Sequence, residues 1–338
     1  MNTKTLLVLV TLIVSGSFIS CTKLDEQVYS DIPIDKFFQT EKDVLMNAGR
    51  SYTKLQKFPE EFSIWSMIEL ASDEMVAPAR DDGQVWDNGR WDQLHTHHFD
   101  ANNKIITYAW QFVYEGISAC NEVLYETASS PIEFDGKEKI MAEIKILRAY
   151  FYYCAIDNWG NVPFSVDYTD KELPLQKDRP FIFSFIVDEI NSNIDKLQEE
   201  PTSEFYGRVT KGMAYTLLAK MYLNAKEWIG VEKWEEAVAA CNKVIELNAY
   251  QIEDDFFTNF KVRNETSREN IFVIPMDPIQ TRDRFYWQQL TLNDASRATF
   301  DFVGQMWDEF VLEPGFLDKY NAADLRRKSF LFGQQYDK

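Results

Sequence analysis

Between Arg80 and Asp92 the chain reads RDDGQVWDNGRWD, a set of residue types suited to recognising neutral, hydroxyl-rich rings. Trp86 and Trp91 offer flat aromatic faces on which the apolar face of a pyranose stacks. Asn88, Arg90 and Asp92, with Asp81, Asp82 and Gln84, offer donors and acceptors for its hydroxyls. Gly83 and Gly89 make the stretch non-helical, so it reads as a loop. A second cluster, RDRFYWQQ at 282–289, repeats the kit with Tyr286 and Trp287 and reads as an opposing wall. For both clusters plain packing competes with ligand binding, because exposed tryptophan is uncommon.

Catalytic chemistry is less well supplied. His95, His97 and His98 are the only histidines, and HTHH lacks the i, i+4 spacing that places two imidazoles on one face of a helix. They read as a solvated polar loop, with no metal site. Asp73-Glu74 are adjacent carboxylates, and adjacency does not set the separation that glycoside hydrolysis requires. No Ser-His-Asp order, phosphate loop or dinucleotide fingerprint occurs. The residues point to a binding protein rather than an enzyme, with no cofactor.

The amino terminus supplies a different chemistry. Residues 1–20 read MNTKTLLVLVTLIVSGSFIS: a lysine at position 4, an apolar run Leu6–Val14 broken only by Thr11, then small residues. This is the pattern of a signal peptide and is too short to span a bilayer as a stable helix. Cys21 follows directly, as in a bacterial lipobox, although Phe18 stands where an aliphatic residue is usual. The expectation is cleavage before Cys21 and lipidation of its thiol (palmitate among the chains). Several acyl chains on one residue anchor firmly, at about 0.8 kcal/mol per buried methylene. The absence of Asp after Cys21 favours the outer membrane.

These groups need a scaffold, and the composition allows one. The 338 residues are 45% hydrophobic, enough for a large core, and 15% aromatic, with nine tryptophans. A net charge of −19 argues against nucleic acid, whose phosphates need a basic footprint. Apolar residues at spacings of three and four predict helices at 107–128, 137–159, 180–197, 211–226 and 231–248. Thr210 is the expected N-cap of the fourth. Cys120, Cys154 and Cys241 fall on apolar helical patterns without metal spacing and read as buried thiols. After about Tyr250 the rhythm fades; Glu269–Met276 reads as a strand among Pro- and Gly-punctuated chain. The last two helices, with small Ala219 and Ala237 facing large Tyr222 and Trp234, resemble a tetratricopeptide hairpin. The expected fold is mainly α: such hairpins form a scaffold, an α-α superhelix, on which a loop-rich irregular part packs.

The motifs in order resemble the SusD/RagB family of nutrient-binding outer-membrane lipoproteins of Bacteroidetes-type bacteria. They are Leu24-Asp-Glu, Phe37-Phe38 with Thr40, Ser72-Asp73-Glu74, Trp110 to Tyr114 with Gly116-Ile117 and Asn121, and Ala142-Glu143 with Leu147-Arg148-Ala149-Tyr150-Phe151-Tyr152. Gly160 with Val162-Pro163, Thr210-Lys211-Gly212, Ala219-Lys-Met-Tyr222-Leu223, Trp234 with Ala237, and Glu269-Asn-Ile-Phe272 complete the series. The resemblance implies a signal peptide at 1–20 and one family domain over 21–338. Its helical-repeat part would occupy about 24–250 and its ligand-side part about 251–338. It further implies a surface-exposed lipoprotein that binds a glycan or other nutrient and passes it to a SusC-like TonB-dependent transporter. The Trp86–Trp91 loop falls where the family places part of its ligand site, soon after Ser-Asp-Glu. Family members are generally longer, so the chain is expected to be a truncated one. A surface-anchored glycoside hydrolase and a tetratricopeptide assembly scaffold without a small ligand remain the alternatives.

Overall fold

The computed structural model describes residues 37–79, 87–277, 279–281 and 285–333. Residues 1–37 and 38–338 separate as two units, and the elements named here belong to the second. Cys21 and Trp86 lie outside the described residues.

Helices dominate because the apolar periodicity is sustained and the caps stand in place. α1 (Glu41–Thr53) and α2 (Ile64–Leu70) precede a short β1 (Met75–Val76) and α3 (Arg90–His95). Two long helices follow, α4 (Lys104–Ser129) and α5 (Lys137–Trp159), then α6 (Arg179–Asn191), α7 (Lys211–Ile229) and α8 (Trp234–Glu246). Asn103 caps α4 by accepting from the Ile105 amide at 3.0 Å, and Asp178 caps α6 by accepting from Phe181 at 3.0 Å. Thr210 stands at the N-cap position of α7, but its hydroxyl meets Tyr250 Oη at 3.2 Å and makes no cap hydrogen bond. α5 ends on Gly160 and α7 on Gly230, both at φ +74°, conformations that suit glycine. The third expected helix is shorter than its periodicity suggests, since Ser192 and Asn193 break it before a 3-10 turn at Ile194–Lys196.

Neighbouring helices pack pairwise: α4 on α5, α5 on α6, α6 on α7, and α7 on α8, with α1 and α2 against α4. The α4–α5 approach depends on Gly116. A Cβ there would fall 2.3 Å from the Phe151 ring, inside contact distance. Two two-stranded pairs brace the loops. β2 (Val162–Pro163) pairs antiparallel with β3 (Gln176–Lys177), and β1 pairs antiparallel with β4 (Val311–Leu312), Met75 opposite Leu312.

The family motif residues have structural work here. Arg148, buried on α5, forms an ion pair with Glu189 of α6 and donates to Asn121 Oδ1 at 2.8 Å. Asn121 donates in turn to the Ser165 carbonyl, 2.9 Å away, and Tyr152 exchanges two hydrogen bonds with Ser165, so the β2–β3 hairpin is sewn to α4 and α5.

Residues 269–276 form no strand, contrary to the sequence expectation: no described segment pairs with them, and an apolar run without a ladder partner stays irregular. Cys120 and Cys154 are buried, with thiols pushed up to about 12 chiefly by burial, whereas Cys241 is exposed on α8.

Candidate functional site

α2 begins after Ser63, whose backbone amide donates to the buried Ser66 hydroxyl at 3.1 Å. It turns Ile64, Met67 and Leu70 inward and leaves Trp65 half-buried. The turn before α3 is left-handed over three residues: Asp87 (φ 36°), Asn88 (φ 57°) and Gly89 (φ 71°). Glycine takes this freely, and asparagine and aspartate are among the residues that tolerate it best. The turn is held by Arg90, which meets Asp87 Oδ1 at 2.7 Å, and by Asn103, which donates to the Arg90 carbonyl at 3.0 Å.

This geometry separates the residues of the first tryptophan loop. Asn88 and Asp92 are exposed, and Arg90 is half-buried. Trp91 is only 2% exposed, its ring parallel to Phe62 at 5.2 Å and edge-on to Phe310 at 5.1 Å. The expectation that Trp91 stacks on a ligand is corrected: Arg90, Trp91 and Asp92 open the helix α3 rather than lying in a loop, and the Trp91 indole anchors that helix and has no face left for a sugar. Trp91 packs there because β1–β4 pairing delivers Phe310 beside it.

The second cluster lies on the same aromatic assembly. Trp287 opens α9 (Trp287–Thr291) and stacks on Trp65 with centroids 4.9 Å apart; Phe285 lies 5.1 Å from Trp287, and Phe310 is 6.0 Å from Trp65. Tyr286 meets Trp307 at 5.2 Å. At the far end Tyr108, on α4, is 6.0 Å from Phe62, and Lys104 Nζ sits 3.9 Å above the Phe62 ring. Trp91 and Trp287 thus belong to one continuous row of rings joined through Phe310 and Trp65, and the Tyr286–Trp307 pair adjoins Trp287 along the chain. Trp65, Phe285, Tyr286, Trp287 and Trp307 keep part of their surface exposed. Sequence reasoning missed Phe62, Trp65, Trp307 and Phe310; the available signal was aromatic density in EFSIW and MWDEF.

Carboxylates sit beside the row. Burial, then the charges of Glu61 and Asp87, push the Glu309 carboxyl up to about 7. Burial and Asp87 raise Glu61, against the pull of Lys104. Glu309 Oε2 and Asp87 Oδ2 are inaccessible and, among the described residues, without a hydrogen-bond partner. Among the described residues no group of His, Cys, Asp or Glu is arranged to hold a metal ion. Of the histidines, His97 Nε2 lies 2.9 Å from the Ala71 carbonyl.

The molecule is a helical scaffold bearing a row of aromatic rings, and the comparisons give its family. The SusD-like family described as "Starch-binding associating with outer membrane" matches residues 50–223, just over half of the chain. The chain belongs to the SusD-like family. It is 30% identical over 146 residues to the starch-binding protein SusD of Bacteroides thetaiotaomicron, covering 42% of this chain and 26% of that protein. A solved SusD superfamily protein from Parabacteroides distasonis superposes with TM-score 0.72 at 18% identity, over 86% of this chain and 62% of the other. Surface glycan-binding protein A from Bacteroides thetaiotaomicron, solved with laminarihexaose, gives TM-score 0.67 at 21% identity, over 86% and 63%. The fold is therefore that of SusD-like proteins. The chain spans 26–49% of the length of the curated relatives it matches.

Proposed function

We propose that this protein binds a glycan along the aromatic row. Half-buried Trp65, Trp287, Tyr286 and Trp307 would provide stacking faces, with the polar side chains of Asn88, Arg90 and Asp92 nearby. The observation that carries the reading is the stacked Trp65–Trp287 pair, two large rings left partly exposed beside polar side chains. Relatives named for starch and a structure holding laminarihexaose support a glucan as ligand. Isothermal titration with maltohexaose and laminarihexaose is the test. Trp287→Ala should weaken binding about tenfold to a hundredfold, or about 1–3 kcal/mol. Undiminished affinity in this variant would count against the row. Both oligosaccharides should be recovered intact after prolonged incubation, since the reading is binding without turnover.

The remainder of the reading concerns place and partner. We propose a lipid anchor on Cys21, outer-membrane attachment facing the outside, and transfer of the glycan to a SusC-like TonB-dependent transporter. The family description, which associates its members with the outer membrane, supports the location.

A further inference from the structure

The 3-10 turn at Ser203–Phe205 and the irregular segment 264–273 enclose, with Asn248 and Ala249, a cavity of about 520 Å3 that none of the aromatic-row residues lines. That is ample for a small molecule, whose pockets run to about 300–1,000 Å3. Its walls are firmly held. Gly207 has φ +77°, and a Cβ there would fall 2.5 Å from Pro275 Cγ, so the two segments touch and no larger residue fits between them. Next to it Arg208 grips Glu143 of α5 through two hydrogen bonds of 2.6 and 3.0 Å, while Tyr52 donates to the same carboxylate at 2.8 Å. On the other wall the Arg268 amide donates to Glu253 Oε1 at 3.1 Å and its carbonyl accepts from Gln251 at 3.0 Å.

The lining has polar capacity left over. The hydroxyls of Thr202, Ser203 and Tyr206 and the side-chain amides of Asn248 and Asn270 make no hydrogen bond to another described residue. Tyr206 is 41% exposed, and Phe272 and Ile271 are half-buried, so apolar surface lies among these groups. Charge narrows the ligand class. Arg208 is paired with Glu143 and Glu265 with Arg263, which leaves Arg268 against Glu200 and makes the lining close to neutral. Such a lining has no net positive charge to attract a phosphate or a carboxylate. Unspent hydroxyls and amides around a tyrosine face suit a neutral ring bearing many hydroxyls.

We propose that this cavity is a second saccharide site, taking a neutral monosaccharide or disaccharide independently of the aromatic row. The test uses the full chain carrying Trp287→Ala, so that binding at the row is weakened, titrated with glucose, galactose, mannose, maltose and laminaribiose. At least one of these should bind, and Tyr206→Ala or Asn270→Ala should weaken it at least about tenfold with circular dichroism and melting unchanged. Should Tyr206→Ala fold poorly, Asn270→Ala and Thr202→Val decide. The proposal is overturned if none of the five sugars binds, if these variants leave affinity unaltered, or if glucuronate or inorganic phosphate binds more tightly than the neutral sugars. Hexasaccharide binding to the otherwise unaltered protein, measured alongside, should survive Asn270→Ala. Failure of one site is thereby told apart from failure of the other.

Discussion

At the scale of single residues, two groups beside the row separate packing from binding. Trp91 is enclosed by Phe62 and Phe310, so Trp91→Ala should leave a cavity, cost about 3–5 kcal/mol and lower the melting temperature sharply. Trp287→Ala should reduce glycan affinity with a far smaller thermal penalty; equal melting losses in the two variants would contradict the distinction. Glu309 makes a pH prediction. Its carboxyl is raised from an ordinary 4.5 to about 7, so between these values the folded protein holds a proton that the unfolded chain has released. Its contribution to stability is full below about 4.5 and is lost as pH rises through about 7. Glu309→Gln should flatten that decline and raise the melting temperature at pH 8; a variant less stable than the parent at pH 8 would contradict it. The types of Asn88, Arg90, Asp92, Tyr286 and Trp287 marked them in the sequence as candidates for sugar binding, the role now proposed for them. The inward turn of Trp91 was not legible there, because it depends on Phe310, far along the chain and beside a strand of two residues.

At the scale of elements, helix pairs were readable because their period and small-large packing are local. α4 and α5 approach at Gly116, so Gly116→Ala must displace Phe151 and should cost about 1–3 kcal/mol by overpacking, read from denaturant titration. The loop carrying Arg208 depends on one buried ion pair. Arg208→Ala strands the Glu143 carboxylate, whose side chain is 2% exposed, and should cost about 3–5 kcal/mol; adding Glu143→Leu should restore much of it. If the double variant is no more stable than Arg208→Ala alone, the stranded charge is not the cause. Beyond residue 250 periodicity could not guide the reading. Segment 269–276 has the composition of a strand, but a strand needs a partner, and the hydrogen bonds of this region run instead through turns and side chains such as Glu253 and Glu269. Cys241 shows the same limit on the helical side, since an apolar stripe on α8 marks a face without saying what covers it.

At the scale of the whole molecule, the proposal is a tethered binder whose ligand is passed on. Cys21→Ala should move the protein from membrane to soluble fractions, because in this proposal the thiol carries the acyl chains; persistence in the membrane fraction would contradict the anchor. Purification in mild detergent at native expression should recover a large TonB-dependent barrel, and recovery of the protein alone would count against transfer. The central claim is that the aromatic row is where a glycan sits. The most direct measurement follows the nine tryptophan indole N–H resonances by NMR during titration with laminarihexaose and with maltohexaose. The account predicts that at least one oligosaccharide shifts Trp65, Trp287 and Trp307 together while Trp159, Trp228 and Trp234 stay still. Shifts confined to tryptophans away from the row, or no shift with either oligosaccharide, would contradict it.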